Sequence, residues 1–161
     1  MRTSRGLSRP TVGATRVEPE GRCAKMGVVG SRSRHLSIGV DRPVAEVYGF
    51  AADPANLPRW AAGLAGSRLE RDGDLWFTQS PMGRVAIRFT PRNDLGVLDH
   101  DVTLPSGETV YNPVRVIADG AGSEVVFTLR QRPGMTDRDF ERDADAVAAD
   151  LSALKSLIES D

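Results

Sequence analysis

The chain has 161 residues, of which 40% are hydrophobic and 27% charged, a composition typical of one globular domain with its own core. Its single cysteine, Cys23, excludes an internal disulfide and fits a reducing, cytoplasmic location. The sequence has no apolar run as long as a membrane span and no apolar block typical of a secretory signal, so we expect neither membrane insertion nor export.

The charge is divided unevenly along the chain. Residues 1–34 carry eight Lys/Arg and two Asp/Glu, a net charge of +6, whereas residues 35–161 carry thirteen and twenty, a net charge of −7. The acidic balance of the larger part argues against nucleic acid as a partner.

Residues 1–34 are predicted to be a disordered basic extension. They contain scattered Gly, Pro, Ser and Arg and few large apolar residues, which is too little to offset the entropy of ordering. A transit peptide would need an amphipathic repeat, and a nucleic-acid arm would need stacking aromatics, and neither is present. Translation from Met26 is an alternative, in which residues 1–25 are absent from the native protein.

The domain is expected to begin with a strand, because "HLSIGV" alternates apolar and polar residues. Asp41 is expected to cap a short helix with Pro43 in its first turn. That helix ends at the "DP" of residues 53–54, since the residue before proline is pushed out of the α region. A second short helix, begun by Asn56, carries Trp60. The sequence therefore predicts a strand followed by two consecutive short helices.

Six further strands are predicted from runs bounded by turn residues, which gives seven strands in all: "SRLERDG", "DLWFTQS", "RVAIRF", "VLDHDVTL", "ETVYNPVRVIA" and "SEVVFTLRQ". After them, Thr136 and Asp139 resemble a capping box. Apolar residues then follow at helical spacing: Phe140, Ala144, Val147, Leu151, Leu154 and Ile158. This pattern predicts a long C-terminal helix that lies on the sheet.

The turn "PSG" at residues 105–107 suits a three-residue hairpin loop with a left-handed glycine at its end. His100 then opposes Asn112, and Val102 opposes Val110. The inward face contains Leu98, His100, Val102, Val110, Asn112, Val114 and Val116. The outer face, expected in water, contains Asp99, Asp101, Thr103, Thr109, Tyr111 and Arg115. His100 and Asn112 are thus polar exceptions on an apolar face.

The turn "PMG" at residues 81–83 is interpreted in the same way. A three-residue loop there pairs Leu75 with Phe89 and Phe77 with Ile87 on the inner face and leaves Trp76 outside. A two-residue loop would turn Trp76 inward instead.

This order of elements, with "RPVAEVYGFAADPANLPRW" between the first two strands, resembles the START-like or SRPBCC superfamily, which includes polyketide cyclases and aromatases, pollen-allergen-type carriers and lipid-transfer domains. The resemblance covers about residues 35–158 and is most specific in the "V..VY.F..DP.N.P.W" pattern of residues 44–60 and in the final helix. It implies an α+β helix-grip fold, in which a seven-stranded curved antiparallel sheet wraps the C-terminal helix around an apolar cavity and the short helices close one end.

Inward side chains of such a fold would bind a small, moderately hydrophobic molecule, such as a lipid or a polyketide. The predicted ligand-binding residues share this orientation: Trp60, Phe77, Phe89, Leu98, His100, Val102, Asn112, Val114, Phe127, Phe140 and Val147. His100 and Asn112 would offer a donor and an acceptor to one carbonyl, phenol or hydroxyl. Structural alternatives are that Trp60 only packs the short helices and that Asn112 satisfies a buried His100.

Three functions are compatible with these residues. The first is ligand binding without turnover. The second is a cyclase, aromatase or dehydratase, in which His100 is the catalytic acid or base and Asn112 fixes its tautomer or polarises a carbonyl. The third is a protein-interaction module that uses the acidic outer face with Asp99 and Asp101.

No cofactor is expected. The sequence has no Gly-rich phosphate loop or nucleotide fingerprint and no cluster with metal-ligand spacing, and His35 is expected in solvent. Asp143 and Asp150, seven residues apart on the last helix, form either a carboxylate pair or a solvated helix edge. The oligomeric state is open, with a homodimer through an outward Trp76 and Tyr111 as one alternative.

Overall fold

The computed structural model describes residues 32–160, so the predictions for residues 1–31, including Cys23 and Met26, lie outside the described residues. The strands are β1 (Ser33–Val40), β2 (Glu70–Asp72), β3 (Leu75–Ser80), β4 (Gly83–Phe89), β5 (His100–Thr103), β6 (Thr109–Asn112), β7 (Val114–Asp119) and β8 (Gly122–Arg130). The helices are α1 (Val44–Ala51), α2 (Leu57–Trp60) and α3 (Asp137–Ser160), with 3₁₀ turns at Pro54–Asn56 and Ala62–Leu64.

The strands form two antiparallel sheets, one in the order β1-β8-β7 and one in the order β2-β3-β4-β5-β6. Helix α3 packs across β1 and β8, and also contacts α2. The α+β helix-grip fold is confirmed, but the described residues contain eight strands in two sheets rather than seven in one.

Pro113 explains the additional strand. It lies inside the predicted run "ETVYNPVRVIA", and because proline has no N–H to donate, β6 ends before it and β7 begins after it in the other sheet. The two sheets still meet here, through a bridge between Val97 and Arg115 and a hydrogen bond of 2.9 Å from the Leu98 N–H to the Val114 carbonyl.

Asp99 holds this junction together from the outer side. It was predicted to lie in water, yet it is only 8% exposed. Its carboxylate accepts hydrogen bonds from the Tyr111 hydroxyl (2.5 Å), from the Val114 backbone N–H (2.9 Å) and from the Arg115 guanidinium. The predicted acidic outer face therefore loses one of its two named carboxylates to a structural role.

The register predicted for the β5–β6 hairpin is confirmed. His100 opposes Asn112, Val102 opposes Val110, and Gly107 has the positive φ of 86° that the three-residue loop requires.

The register preferred for the β3–β4 hairpin is wrong. Trp76 opposes Ile87, because the loop contains two residues rather than three, and this one-residue shift turns every side chain of β3 to the other face. Trp76 consequently packs against the buried cluster of Leu57, Val85 and Ile87, so it is not an outward dimer contact. Phe77 points outward, where the guanidinium of Arg84 lies 4.6 Å from its ring.

Three helix starts were predicted: α2 begins directly after Asn56 as expected, the start of α3 is confirmed, and the cap predicted for α1 is wrong. Thr136 accepts the Asp139 backbone N–H at 3.2 Å, one residue before α3 begins. At α1 the cap position is occupied by Pro43, while the Asp41 N–H instead donates to Glu159 of α3 at 2.7 Å. The first turn of α1 thus has no side-chain cap, and Asp41 links the start of the short helices to the end of α3.

The start of β1 is fixed to α3 by charge. Arg32 and Arg34 form ion pairs with Glu141, and Arg32 also pairs with Asp137. The strand begins at Ser33, inside the segment assigned from sequence to the extension.

The main core lies between α3, the three-stranded sheet and α1. Its most buried side chains come from all three, and include Val47, Val125 and Leu154, each at most 1% exposed. None of the helices within residues 32–160 has both the length and the apolar character needed to cross a membrane.

Candidate functional site

Two cavities lie between α3 and the concave faces of the sheets. The first, here called the outer groove, has a volume of about 540 Å³ and is bounded by the β5–β6 hairpin, residues 129–133 and α3. The second, here called the inner chamber, has a volume of about 30 Å³ and lies deeper, between α2, the sheets and α3. Phe127 on β8 lines both cavities.

The outer groove combines an apolar floor with a polar rim. The floor is formed by Val102, Leu104, Val110, Phe127, Leu129 and Val147. The rim includes an ion pair of 3.2 Å between Arg132 and Glu108, together with Gln131, Asp143 and Asp150. A volume of this size is within the range of about 300–1,000 Å³ that is typical of small-molecule sites.

Asp150 is held in the wall of the groove. Its Oδ1 accepts the Ala62 backbone N–H at 2.9 Å and so joins α3 to the turn after α2. Burial raises the pKa of Asp150, and the hydrogen bond from Ala62 opposes that rise. Asp143 lies two turns before Asp150 on α3 and lines the same groove. Both carboxylates that were considered as a pair therefore lie at the rim.

The inner chamber is too small for an organic ligand. Its volume of about 30 Å³ is far below the range of about 300–1,000 Å³ typical of small-molecule sites, although it exceeds the about 10–15 Å³ that one water molecule needs. Leu57, Trp60, Phe89 and Leu154 supply apolar walls, and its polar lining comes from Thr90, Asp99 and His100.

His100 is half-buried at the edge of the inner chamber, with its ring 5.7 Å from that of Phe89. Its Nδ1 lies 3.1 Å from the Leu98 carbonyl oxygen. Because a carbonyl can only accept, Nδ1 carries the proton, and in the neutral ring Nε2 is left with a free lone pair. Burial lowers the pKa of His100, although the Leu98 hydrogen bond and the charge of Asp101 act in the opposite direction.

Asn112 does not join His100 in one polar site. Its Nδ2 donates to the Val110 carbonyl at 3.5 Å, and its side chain lines the outer groove. Within residues 32–160, no hydrogen bond joins the two side chains. The two polar residues predicted to contact one ligand atom therefore belong to different cavities.

Trp60 ends α2 and packs against both buried clusters. It lines the inner chamber, as expected for a residue at the junction of the short helices and the cavity. Its indole N–H is buried and has no hydrogen-bond partner among residues 32–160, which is uncommon for a buried donor.

The predicted binding residues divide into four groups. Trp60, Phe89, Leu98, His100 and Val114 line the inner chamber, Val102, Asn112 and Val147 line the outer groove, and Phe127 lines both. The remaining two, Phe77 and Phe140, line neither. The register shift places Phe77 outside. Phe140 of α3 is fully buried, and the Arg32 guanidinium lies 4.9 Å from its ring.

Sequence reasoning missed residues 131–133, which form part of the groove's rim. Gln131 was assigned to the last predicted strand, and Arg132 and Pro133 were left between that strand and the last helix, but all three follow β8 and line the groove. The pairing of Arg132 with Glu108 joins this segment to the β5–β6 loop, a contact between residues far apart in sequence. Only the opposite charges of these two residues could have indicated it. Within the described part of the chain, no group of three or more His, Cys, Asp or Glu is arranged to hold a metal ion.

Solved structures with the same fold include XoxI from Bacillus cereus (TM-score 0.62, 14% identity, covering 79% of this chain and 95% of that one). Ara h 8.0201 is similar, with a TM-score of 0.61, 12% identity and coverage of 82% and 100%. DynU16, described as a putative protein in the dynemicin biosynthetic locus, has a TM-score of 0.61 and 13% identity, and the match covers 81% of this chain and 48% of that one. At these identities the likeness shows the fold alone.

No curated protein matches the chain in sequence. The family described as "Polyketide cyclase / dehydrase and lipid transport" matches residues 31–159, well over half of the 161-residue chain. The chain therefore belongs to the polyketide cyclase / dehydrase and lipid transport family.

Proposed function

We propose that the protein binds a small, moderately hydrophobic molecule in the outer groove, between the sheet and the C-terminal helix. The observation that carries this proposal is the volume of about 540 Å³ over a floor of aliphatic and aromatic side chains. Each methylene group transferred from water to such a floor contributes about 0.8 kcal/mol, so a ligand with several of them gains enough to offset the cost of association. The lipid transport named in the family's description is consistent with such a ligand.

The rim gives the ligand an orientation. Asn112 and Gln131 supply amide groups, while Asp143, Asp150 and the Arg132–Glu108 pair carry charge at the open side. An apolar body with one neutral polar substituent satisfies both parts, because the substituent stays among the rim groups while the body covers the floor.

The position of His100 favours binding over turnover. A general acid or base must lie within about 2.6–3.2 Å of the proton that it transfers, or be connected through one water molecule. His100 lines the inner chamber and does not line the groove. A molecule confined to the groove therefore does not present a reacting atom directly to His100.

The test is a titration with N-phenyl-1-naphthylamine, a neutral probe whose fluorescence rises in apolar sites. Saturable binding by the wild type is expected, together with a loss of at least about tenfold in affinity, or about 1.4 kcal/mol, in Ala146→Trp, which fills the groove from α3. The matched control is Ala149→Trp, because Ala149 is also an exposed alanine of α3 and does not line the groove. Absence of saturable binding, or equal affinity in both variants, would overturn the proposal.

A further inference from the structure

Phe127 occupies a distinctive position among the described residues 32–160, since it is the one side chain that lines both the outer groove and the inner chamber. Neighbouring residues on other elements fall on opposite sides of it. His100 and Asn112 oppose each other in register, yet the first lines the chamber and the second the groove. On α3, Leu151 lines the chamber, and Val147, one turn earlier, lines the groove. The boundary between the cavities therefore passes through Phe127.

On the basis of the proposed function, we infer that Phe127 determines how deep a ligand can enter, and that a longer apolar ligand ending in a hydroxyl group displaces its ring and donates to Nε2 of His100. Short ligands would occupy the groove alone. The inference thus names a specificity-determining residue and a ligand class for that site: elongated apolar molecules with a terminal alcohol or phenol.

The surroundings of Phe127 permit such a displacement. Its side chain packs against the main core but is only half-buried and borders two cavities, so its ring has space to turn into. Phe140, by comparison, is fully buried and lines neither cavity. A phenylalanine ring also has no hydrogen bond to break when it turns. Displacing Phe127 would connect the groove with the chamber and would expose His100 to the end of the ligand.

The chamber selects the terminal group by its chemistry. Nδ1 of His100 is occupied by the Leu98 carbonyl, so Nε2, an acceptor, is the one ring nitrogen of the neutral side chain left to bind a ligand. Of the other polar residues there, Asp99 directs its carboxylate to Tyr111 and Arg115 on the outer side, and Thr90 can donate or accept. A hydroxyl donates to Nε2, an ether has no donor, and an ionised carboxylate has no donor and would be costly to bury among apolar walls. The volume of about 30 Å³ accommodates one such group.

The test measures displacement of N-phenyl-1-naphthylamine by octanol, dodecanol and hexadecanol and by the methyl ethers of the same chains. Each buried methylene strengthens binding by about fourfold, so Phe127→Ala is expected to increase the affinity for hexadecanol by at least about tenfold and to change that for octanol by less than about threefold. Phe127→Leu keeps an apolar side chain of smaller size and is expected to change the ratio of the two affinities in the same direction. It provides the test if the alanine variant misfolds.

Phe77→Ala is the matched control, because it also removes a phenylalanine ring, but one that lines neither the inner chamber nor the outer groove. It should leave the ratio of hexadecanol to octanol affinity unchanged. In Phe127→Ala, the ¹⁵N resonance of His100 Nε2 is expected to shift with hexadecanol and not with its methyl ether or with octanol.

Several results would overturn the inference. They are an unchanged ratio in both Phe127 variants, an increase in Phe77→Ala equal to that in Phe127→Ala, and equal binding of alcohols and ethers at every chain length. Each of these would leave the proposed function intact provided that octanol still displaces the probe from the wild-type protein. If neither octanol nor the probe binds to the wild type, the proposed function itself fails.

Discussion

His100 and Asn112 oppose each other directly on β5 and β6, yet their side chains line different cavities. The inner face of this strand pair therefore contributes to two cavities, and among the described residues Phe127 of β8 is the one that lines both. A polar acceptor lies at the deep end and an amide at the open end. This separation is the reason why ligand binding and chemistry at His100 are distinct questions for this protein.

The first prediction concerns the protonation of His100. Its hydrogen bond to Leu98 predicts the tautomer with the proton on Nδ1, which long-range ¹H–¹⁵N correlation spectra identify directly. Because burial lowers the pKa of His100, its titration midpoint should lie below the ordinary value of 6.5. A proton on Nε2, or a midpoint above 6.5, would contradict the geometry described.

The same shift predicts a loss of stability in acid. Between the lowered pKa of folded His100 and the ordinary value of 6.5, the unfolded chain binds more protons than the folded one, so the free energy of unfolding rises with pH. The stabilisation is present above 6.5 and is lost as the pH falls through the folded pKa. The free energies of unfolding of the wild type and of His100→Gln, measured by urea denaturation, should therefore converge as the pH falls through this range. A constant difference would count against a lowered pKa.

The second prediction concerns Gly96 at the junction of the two sheets. Its φ is +68°, and a Cβ at this position would lie 2.1 Å from the Val116 carbonyl oxygen. Gly66 has a similar φ of +74° but nothing within 4 Å of an added Cβ, so it is a matched control. Gly66→Ala should cost about 1–2 kcal/mol through backbone strain alone, and Gly96→Ala should cost more than about 3 kcal/mol, because backbone atoms must also move. Urea denaturation measures both, and equal losses would contradict the close approach.

The third prediction concerns Asp99 and its three donors. Asp99→Ala leaves the Val114 N–H without its partner and removes the carboxylate beside Arg115, which should lower the free energy of unfolding by about 2–4 kcal/mol. Tyr111→Phe removes only one hydrogen bond and should cost about 1 kcal/mol. Asp94→Asn, at an exposed position of the preceding loop, is the control for loss of charge and should have little effect. Similar losses for Asp99→Ala and Asp94→Asn would show that the network does not stabilise the junction.

The two hairpins illustrate how far sequence specifies register here. At residues 105–107 the loop length, Gly107 and the alternation of Val102 and Val110 agree, and the predicted pairing is correct. At residues 81–83, loops of two or three residues both bring Gly83 to a positive φ, which is observed at 107°. The choice between the two loop lengths depends on the packing of Trp76 against Leu57. These residues belong to segments far apart in the chain, so local sequence gives no sign of this contact. The fold was therefore predictable where local signals agreed and not where tertiary packing decided.

The candidate site divides in the same way. Alternation along β5 and β6 identified the inward residues correctly, because side-chain direction in a strand depends only on register. Sequence could not predict that His100 and Asn112 would be separated, since this depends on where Phe127 of a different sheet meets them. It also could not predict the burial of Asp99, which follows from Pro113 moving β7 into that sheet.

The last prediction concerns Asp150 in the wall of the groove. Burial raises its pKa, so over the range between the ordinary value of 3.8 and the folded pKa, the folded protein binds more protons than the unfolded chain. The free energy of unfolding then falls as the pH rises through that range, and the cost persists at neutral pH. Asp150→Asn keeps an oxygen that can accept the Ala62 N–H at 2.9 Å but removes the buried charge.

Asp150→Asn should accordingly be at least as stable as the wild type at about pH 7 and should lose that advantage as the pH falls through the raised pKa to the ordinary value of 3.8, because the wild-type carboxyl becomes protonated. Paired urea denaturations at the two pH values measure the difference, and Asp145→Asn, which removes an exposed carboxylate from the same helix, controls for net charge. Because Asp150 also lines the outer groove, the same variant should bind N-phenyl-1-naphthylamine at least as tightly as the wild type. An Asp150→Asn protein that is less stable only at neutral pH would mean that the ionised carboxylate stabilises the contact with Ala62 more than its burial costs.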